Sequence, residues 1–410
     1  MPTRRSMLLA AVATSAIVGA ASAALAADKL VKIGWDGSVT GGDAQAAILQ
    51  ENGAKLAVAD ANAKHLVKGV TFELYPLDDG TATAGQYDPA QAAINARKFV
   101  GDKAVVGIDG PEMSGAAKAM TPILSQADLA MITPSATNPD LTDPKFAAQF
   151  RPAGKTVFFR TVATDAYQGP NMANYFAEVL KVKSVYVLDD TGAYGEGLAD
   201  AFQKQAEAKG IKVLGRDKLD PKAPDYSAAL TKIKSLGAAS LYYGGVVQAG
   251  VKLIKQSYDI LPNIPKAGGD GLYEPDIFTG AGYPAAQGWY ATQASPHLTD
   301  DPKLADYVTR YKAMFKLAPD DYSICSYDAT MAIVHAVGKV ATANQPINRS
   351  TVRTALTTLS FASLQGTLAF DQNGDLEKKV ISVFQAEKND AFPLDDSSHQ
   401  YRYIGVAPQS

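Results

Sequence analysis

Two kinds of segment follow one another along nearly the whole chain. Short runs have apolar residues at alternate positions, and longer runs have them three to four positions apart. Leu30 to Trp35 alternates and predicts a strand, while Ala44 to Asn62 places Ile48, Leu49, Leu56 and Ala59 on one helical stripe. Val70 to Leu77 alternates again, Pro89 to Val100 has the helical period, and Ala104 to Ile108 is a short apolar run of the kind a doubly covered strand needs. Beyond the turn at Pro134 the same grammar restarts. Strands are predicted at Val157 to Thr161, Ser184 to Leu188, Lys212 to Arg216 and Ser240 to Tyr243. Helices are predicted at Gly169 to Leu180, Gly195 to Lys209, Tyr226 to Leu236 and Val247 to Tyr258. The final third predicts helices at Pro302 to Phe315, Asp328 to Thr342 and Ser350 to Leu359. A hairpin then joins Thr367 to Phe370 with Val380 to Gln385 through Asp371–Asp375.

Strand–helix alternation implies parallel sheets with helices on both faces. Two such sets exceed one comfortable core, so the chain predicts two α/β lobes. No flexible linker separates them. Thr161 to Asp165 and Gly288 to Gln293 read instead as strands crossing directly between lobes.

The first residues have the layout of an export signal. Arg4 and Arg5 precede an apolar run from Met7 to about Ala20, and Ala24-Leu25-Ala26 is a small-x-small cleavage site. Removing residues 1–26 takes away two arginines and no acid, moving the net charge from −3 to −5. A mildly acidic chain without a basic tract does not suit nucleic acid or an anionic membrane surface. Cys325 is the one cysteine of 410 residues, so no internal disulfide can form and a large core must carry stability. The four histidines, at 65, 297, 335 and 399, show no metal spacing, and no nucleophile elbow is present; neither an enzyme nor a cofactor site is expected. Gly192 to Gly197 has the wrong glycine spacing for a dinucleotide fingerprint, and no Lys follows it for a P-loop.

In open α/β sheets, ligands sit beyond the C-terminal ends of the strands. The unusual residues fall at such ends: Asp36-Gly37-Ser38, Asp109 to Gly115, Pro134 to Thr137, Asp189 to Tyr194 and Gly268 to Gly271. Ser135 and Thr137 present hydroxyls on the turn after Ala130 to Ile132, where short donors suit a carboxylate.

Taken in order, these segments resemble the leucine/isoleucine/valine-binding proteins, the type I periplasmic solute receptors of ABC importers. The resemblance rests on Asp78-Asp79, Val105-Val106-Gly107 leading to Ser114-Gly115, and Ile132 to Pro139. It continues through Arg160-Thr161, Asp165, Gln168-Gly169-Pro170, Tyr194 to Leu198, Tyr242 to Gly245, Gly268 to Gly271 and Gly374-Asp375-Leu376. It implies two Rossmann-like lobes joined by three crossover strands, with residues 27–163 plus 292–379 in one and 164–291 plus 380–410 in the other. It also implies a periplasmic receptor, no enzyme, that closes on an amino acid, branched-chain or related, and delivers it to ABC permease subunits. In that likeness Ser114 and Thr137 donate to the ligand carboxylate, assisted by a backbone amide near Ser135, with Ala136 in the same turn, and by the first turn of the following helix. Asp270 takes the α-ammonium, Tyr194 reaches in from the second lobe, Tyr322 walls the side-chain end, and Trp35 lines the first-lobe mouth. Glu112 and Met113 stand on an altered wall, and Val246 stands where relatives carry tyrosine, leaving room for bulkier aliphatic or aromatic side chains. The family's early disulfide is absent. Two other readings stay open: an aromatic carboxylate or amide as ligand, or a sensory role on the same fold.

Overall fold

The computed structural model describes residues 28–409, so the export-signal segment 1–26 lies outside the described residues. Two sheets organise the chain. The first runs Val70–Asp78, Lys29–Gly37, Val105–Asp109, Ala130–Thr133 and Phe158–Arg160, all parallel. The second has a parallel core of Lys212–Lys218, Ser184–Asp189, Leu241–Gly244, Lys266–Gly268 and Tyr290–Gln293. Numbered along the chain, both parallel sets have the order 2-1-3-4-5. That order creates one switch point per sheet, where a crevice opens between the strands that lead to opposite sides.

Apolar runs explain the layering. Val105–Asp109 and Ala130–Thr133 are buried at every position, as strands covered on both faces must be. On one face Val31, Ile33, Val106 and Ile132 pack with Ile333 and Val337 of the helix Asp321–Thr342; on the other Val105, Ile108 and Met131 pack with Phe99 and Met120. The second sheet buries Tyr186, Leu188, Leu241 and Tyr243 against Leu253, Trp289 and Phe384. Helix Ala44–Ala63 meets Asp321–Thr342 so closely that a Cβ on Gly53 would stand 2.1 Å from the Ser323 carbonyl oxygen. Its covered face is wider than the predicted stripe. Ala47, Leu49, Gly53, Ala54 and Leu56 are buried, whereas Ile48 is exposed, because small residues let the neighbouring helix approach.

The chain passes between the sheets at 161–164, at 294–301 and at 376–381. Gly288 to Gln293, expected to cross, instead supplies Tyr290–Gln293 to the second sheet, and the chain leaves after it. The terminal hairpin is also corrected. Gly366–Ala369 pairs with Ser360–Ser363, while Ser382–Ala386 runs antiparallel to Tyr290–Gln293 and is itself flanked by Tyr401–Val406. Pro134 to Thr137 is followed by no long helix; short 3-10 turns at Pro139–Leu141 and Pro144–Phe146 replace it.

Candidate functional site

Strand ends from both sheets border one small cavity. From the first sheet's side come Gln50, Glu112, Met113, Ser114 and Ser135; from the second come Tyr194, Val246, Asp270, Gly271 and Glu274; Tyr322 joins from Asp321–Thr342. Toward solvent the cleft continues between Gln86 and Tyr87 on one side and Asp190 and Lys222 on the other. The two sides touch directly: Gln45 Nε2 donates to Asp276 Oδ1 at 2.8 Å and Asn138 Nδ2 to the Ala193 carbonyl at 2.7 Å.

Ser114 opens the helix Ser114–Gln126, whose first amides have no carbonyl partner within the helix and whose dipole favours an anion. Its Oγ accepts the Asn138 N–H at 3.2 Å, which leaves the hydroxyl proton to donate into the cavity. The Ser135 turn is built differently from the expectation. The amides of Ser135 and Ala136 both donate to Thr133 Oγ1, at 3.2 and 2.8 Å, so no amide of that pair is left for a ligand. Ser135 Oγ lies 2.9 Å from the Glu112 carbonyl and 3.0 Å from Gln50 Oε1. The fully buried Arg160 clamps the turn from behind, donating to the carbonyls of Ala136 and Asn138 at 2.9 and 3.2 Å while paired with Asp375 at 2.7 Å.

Three of the expected residues do not border the cavity. Ala136 is wholly buried in the turn, and Thr137 lies buried beneath it beside Asp165, whose amide donates to the Thr137 carbonyl at 3.0 Å. Trp35 packs on Ala47 and Ala54 inside the first layer, because the second half of its strand is covered on both faces.

Asp270 is the most elaborately held acid. Its Oδ1 accepts from Tyr194 and from Gln168 Nε2 at 3.0 Å, and its Oδ2 accepts from Tyr322. Gln168 is fixed in turn, because its Oε1 accepts from the Asp270 amide at 2.9 Å and from Thr292 at 2.6 Å. Burial raises the Asp270 carboxyl above its ordinary range, while the bonds from Tyr194, Tyr322 and Gln168 work against that rise. A carboxylate has about four acceptor positions, so Oδ2 keeps room for one more donor.

Sequence reasoning did not single out Gln50, Gln168 or Glu274. Gln168 stood among the family segments without a role. Glu274 follows Asp270 by four residues in the same loop, where an acid is ordinarily solvated, and Gln50 interrupts an apolar helical face, a place that predicts burial. Glu112 accepts only long bonds, from the Ser38 amide and from Gln50 Nε2, both at 3.3 Å. Burial pushes both the Glu112 and the Glu274 carboxyls well above the usual range. Among the described residues no cluster of His, Cys, Asp or Glu is placed to hold a metal, and no helix is long and apolar enough to cross a membrane.

Residues 30–391 match the family described as periplasmic binding protein. The leucine-, isoleucine-, valine-, threonine- and alanine-binding protein of Pseudomonas aeruginosa is 32% identical over 377 residues, covering 92% of this chain and 95% of that one. The crystal structure of a leucine-binding protein, LivK, from Thermotoga maritima superposes with a TM-score of 0.78 at 24% identity, covering 92% of this chain and 98% of its own. An ABC-transporter solute-binding protein from R. palustris, solved with benzoate, gives 0.75 at 20% identity, covering 93% and 98%.

Proposed function

The chain belongs to the periplasmic binding protein family, in the group of the Leu/Ile/Val-binding proteins and other substrate-binding components of ABC transporters, and we propose that it is an importer's receptor for one α-amino acid. The observation that carries this reading is the opposition of Ser114 and Asp270 across a single cavity. Ser114 and the start of its helix offer donors to a carboxylate; Asp270 offers a fixed acceptor to an ammonium. A zwitterion is costly to bury unless both charged ends find partners, and this cavity has one set for each.

The proposed cycle starts with the solute on the first sheet's side, held by its carboxylate. Bending at 161–164, 294–301 and 376–381 then brings Asp270 and Tyr194 over the ammonium. Only the ligand's preference for the closed form drives the motion. A micromolar complex needs about 8 kcal/mol in total. The closed pair of lobes is the form a permease would recognise. The leader segment 1–26 fits export to the periplasm, with cleavage after Ala26.

A second reading, an aromatic carboxylate, is favoured by the phenol rings of Tyr194 and Tyr322 at the cavity. A thermal-shift screen of the mature chain against the common amino acids and amine-free aromatic acids separates the two. A rise in melting temperature with an amino acid, lost when its amino group is removed, supports the first; a rise with benzoate alone supports the second.

A further inference from the structure

The cavity holds more carboxyl groups than a simple zwitterion can answer. Asp270, Glu112 and Glu274 all border it, and none of the residues lining it is Lys, Arg or His. One acid suffices for an α-ammonium, and the ligand's own carboxylate is met by Ser114 and its helix. Glu112, from the first side, and Glu274, from the second, are left over, at 3% and 7% exposure. Glu274 Oε2 has no hydrogen-bond partner among the described residues, and Glu112 is held only by the two 3.3 Å contacts.

An aliphatic side chain seated there would cover both carboxyls and give them neither a counter-charge nor a donor, which is an expensive way to bury polar groups. The acids do not converge as a metal-binding set, so the missing partner is an organic donor. Building on the amino-acid reading above, we infer that the solute is an amino acid with a cationic side chain, its terminal ammonium or guanidinium seated between Glu112 and Glu274. A guanidinium suits the place especially well, because its planar fork of five donors can serve two carboxylates at once. The arrangement also explains why the extra polar residues sit on both sides of the cleft: closure brings them to the cation together. It replaces the aliphatic or aromatic preference that Val246 alone suggested.

Calorimetric titration of the intact mature chain with L-arginine, L-lysine, L-leucine and benzoate tests this. The expected result is binding of arginine or lysine at least tenfold tighter than leucine. Glu274→Gln and Glu112→Gln, each checked for an unaltered melting profile, should each weaken the basic amino acid more than tenfold and narrow its margin over leucine. Leucine binding as tightly as the basic amino acids overturns the inference and leaves the amino-acid reading standing. Benzoate binding with no amino acid bound overturns both. Tight arginine binding that survives both substitutions overturns the assignment to these two acids.

Discussion

Tyr322 donates its phenol proton to Asp270 across the cleft, from a helix that packs on the first sheet to a carboxylate at the end of a strand in the second. Tyr194 meets the other oxygen of the same carboxylate from the second sheet's own side. With the lobes together the acid is therefore oriented from both sides of the cleft. Asp270→Asn removes the charge and keeps the shape. Amino-acid affinity should fall more than tenfold, each tenfold being about 1.4 kcal/mol, and the loss should exceed that of Tyr322→Phe. Titration calorimetry on the two variants measures it.

Ser114→Ala removes the one hydroxyl on the cavity wall whose proton is not engaged elsewhere, since its oxygen already accepts from Asn138. Affinity should drop about tenfold, the order of a hydrogen bond to a charged group, with the melting temperature nearly unchanged. A carboxylate-free analogue of the ligand should bind wild type and variant alike, which ties the effect to the ligand's anionic end.

Arg160→Ala acts on stability. The side chain is fully buried, holds the turn that carries Ser135, and is paired with Asp375, whose side chain is 17% exposed. Removing one partner of such a pair costs about 3–5 kcal/mol; the partial exposure of Asp375 places the expected loss near the lower figure. Urea denaturation gives the value.

Stability should fall as pH rises from about 5.5 to 8.5. Burial, the leading cause in each case, raises Asp43 and Asp320 to about 7 and Asp109 to about 8. In the unfolded chain these carboxyls ionise near 3.9, so the folded state binds more protons through this interval, and raising the pH favours unfolding. His297 adds in the same direction. Burial opposes its protonation, but Asp300 and Asp321 prevail and raise it to about 9, so its contribution is complete below about 6.5 and is lost as pH passes about 9. Urea midpoints at the two pH values read the sign.

The fold was legible because central strands such as Val105–Asp109 and Ala130–Thr133 are the apolar runs that doubly covered strands need, and because helical stripes separate the strands. The last strands were not. Ser382–Ala386 alternates like half of a hairpin, and nothing local shows that its partner is Tyr290–Gln293, some ninety residues earlier. At the site, Ser114, Ser135, Tyr194, Asp270 and Tyr322 were all named from the sequence and all border the cavity. Trp35, Ala136 and Thr137 were named with them and lie behind it, since turn geometry decides which of several adjacent residues faces inward. The amides at Ser135 and Ala136 show the same limit: which acceptor they meet depends on Thr133, two and three residues away. Glu274 went unnoticed because an acid in a loop is ordinarily solvated, and only the fold buries it.

The most direct test is a crystal structure of the mature protein with its amino acid bound. The carboxylate is expected at Ser114 and the first turn of Ser114–Gln126, with the α-ammonium on Asp270 and both lobes in contact with the ligand. A ligand lodged outside this cavity, or touching residues of only one lobe in the closed form, would contradict it.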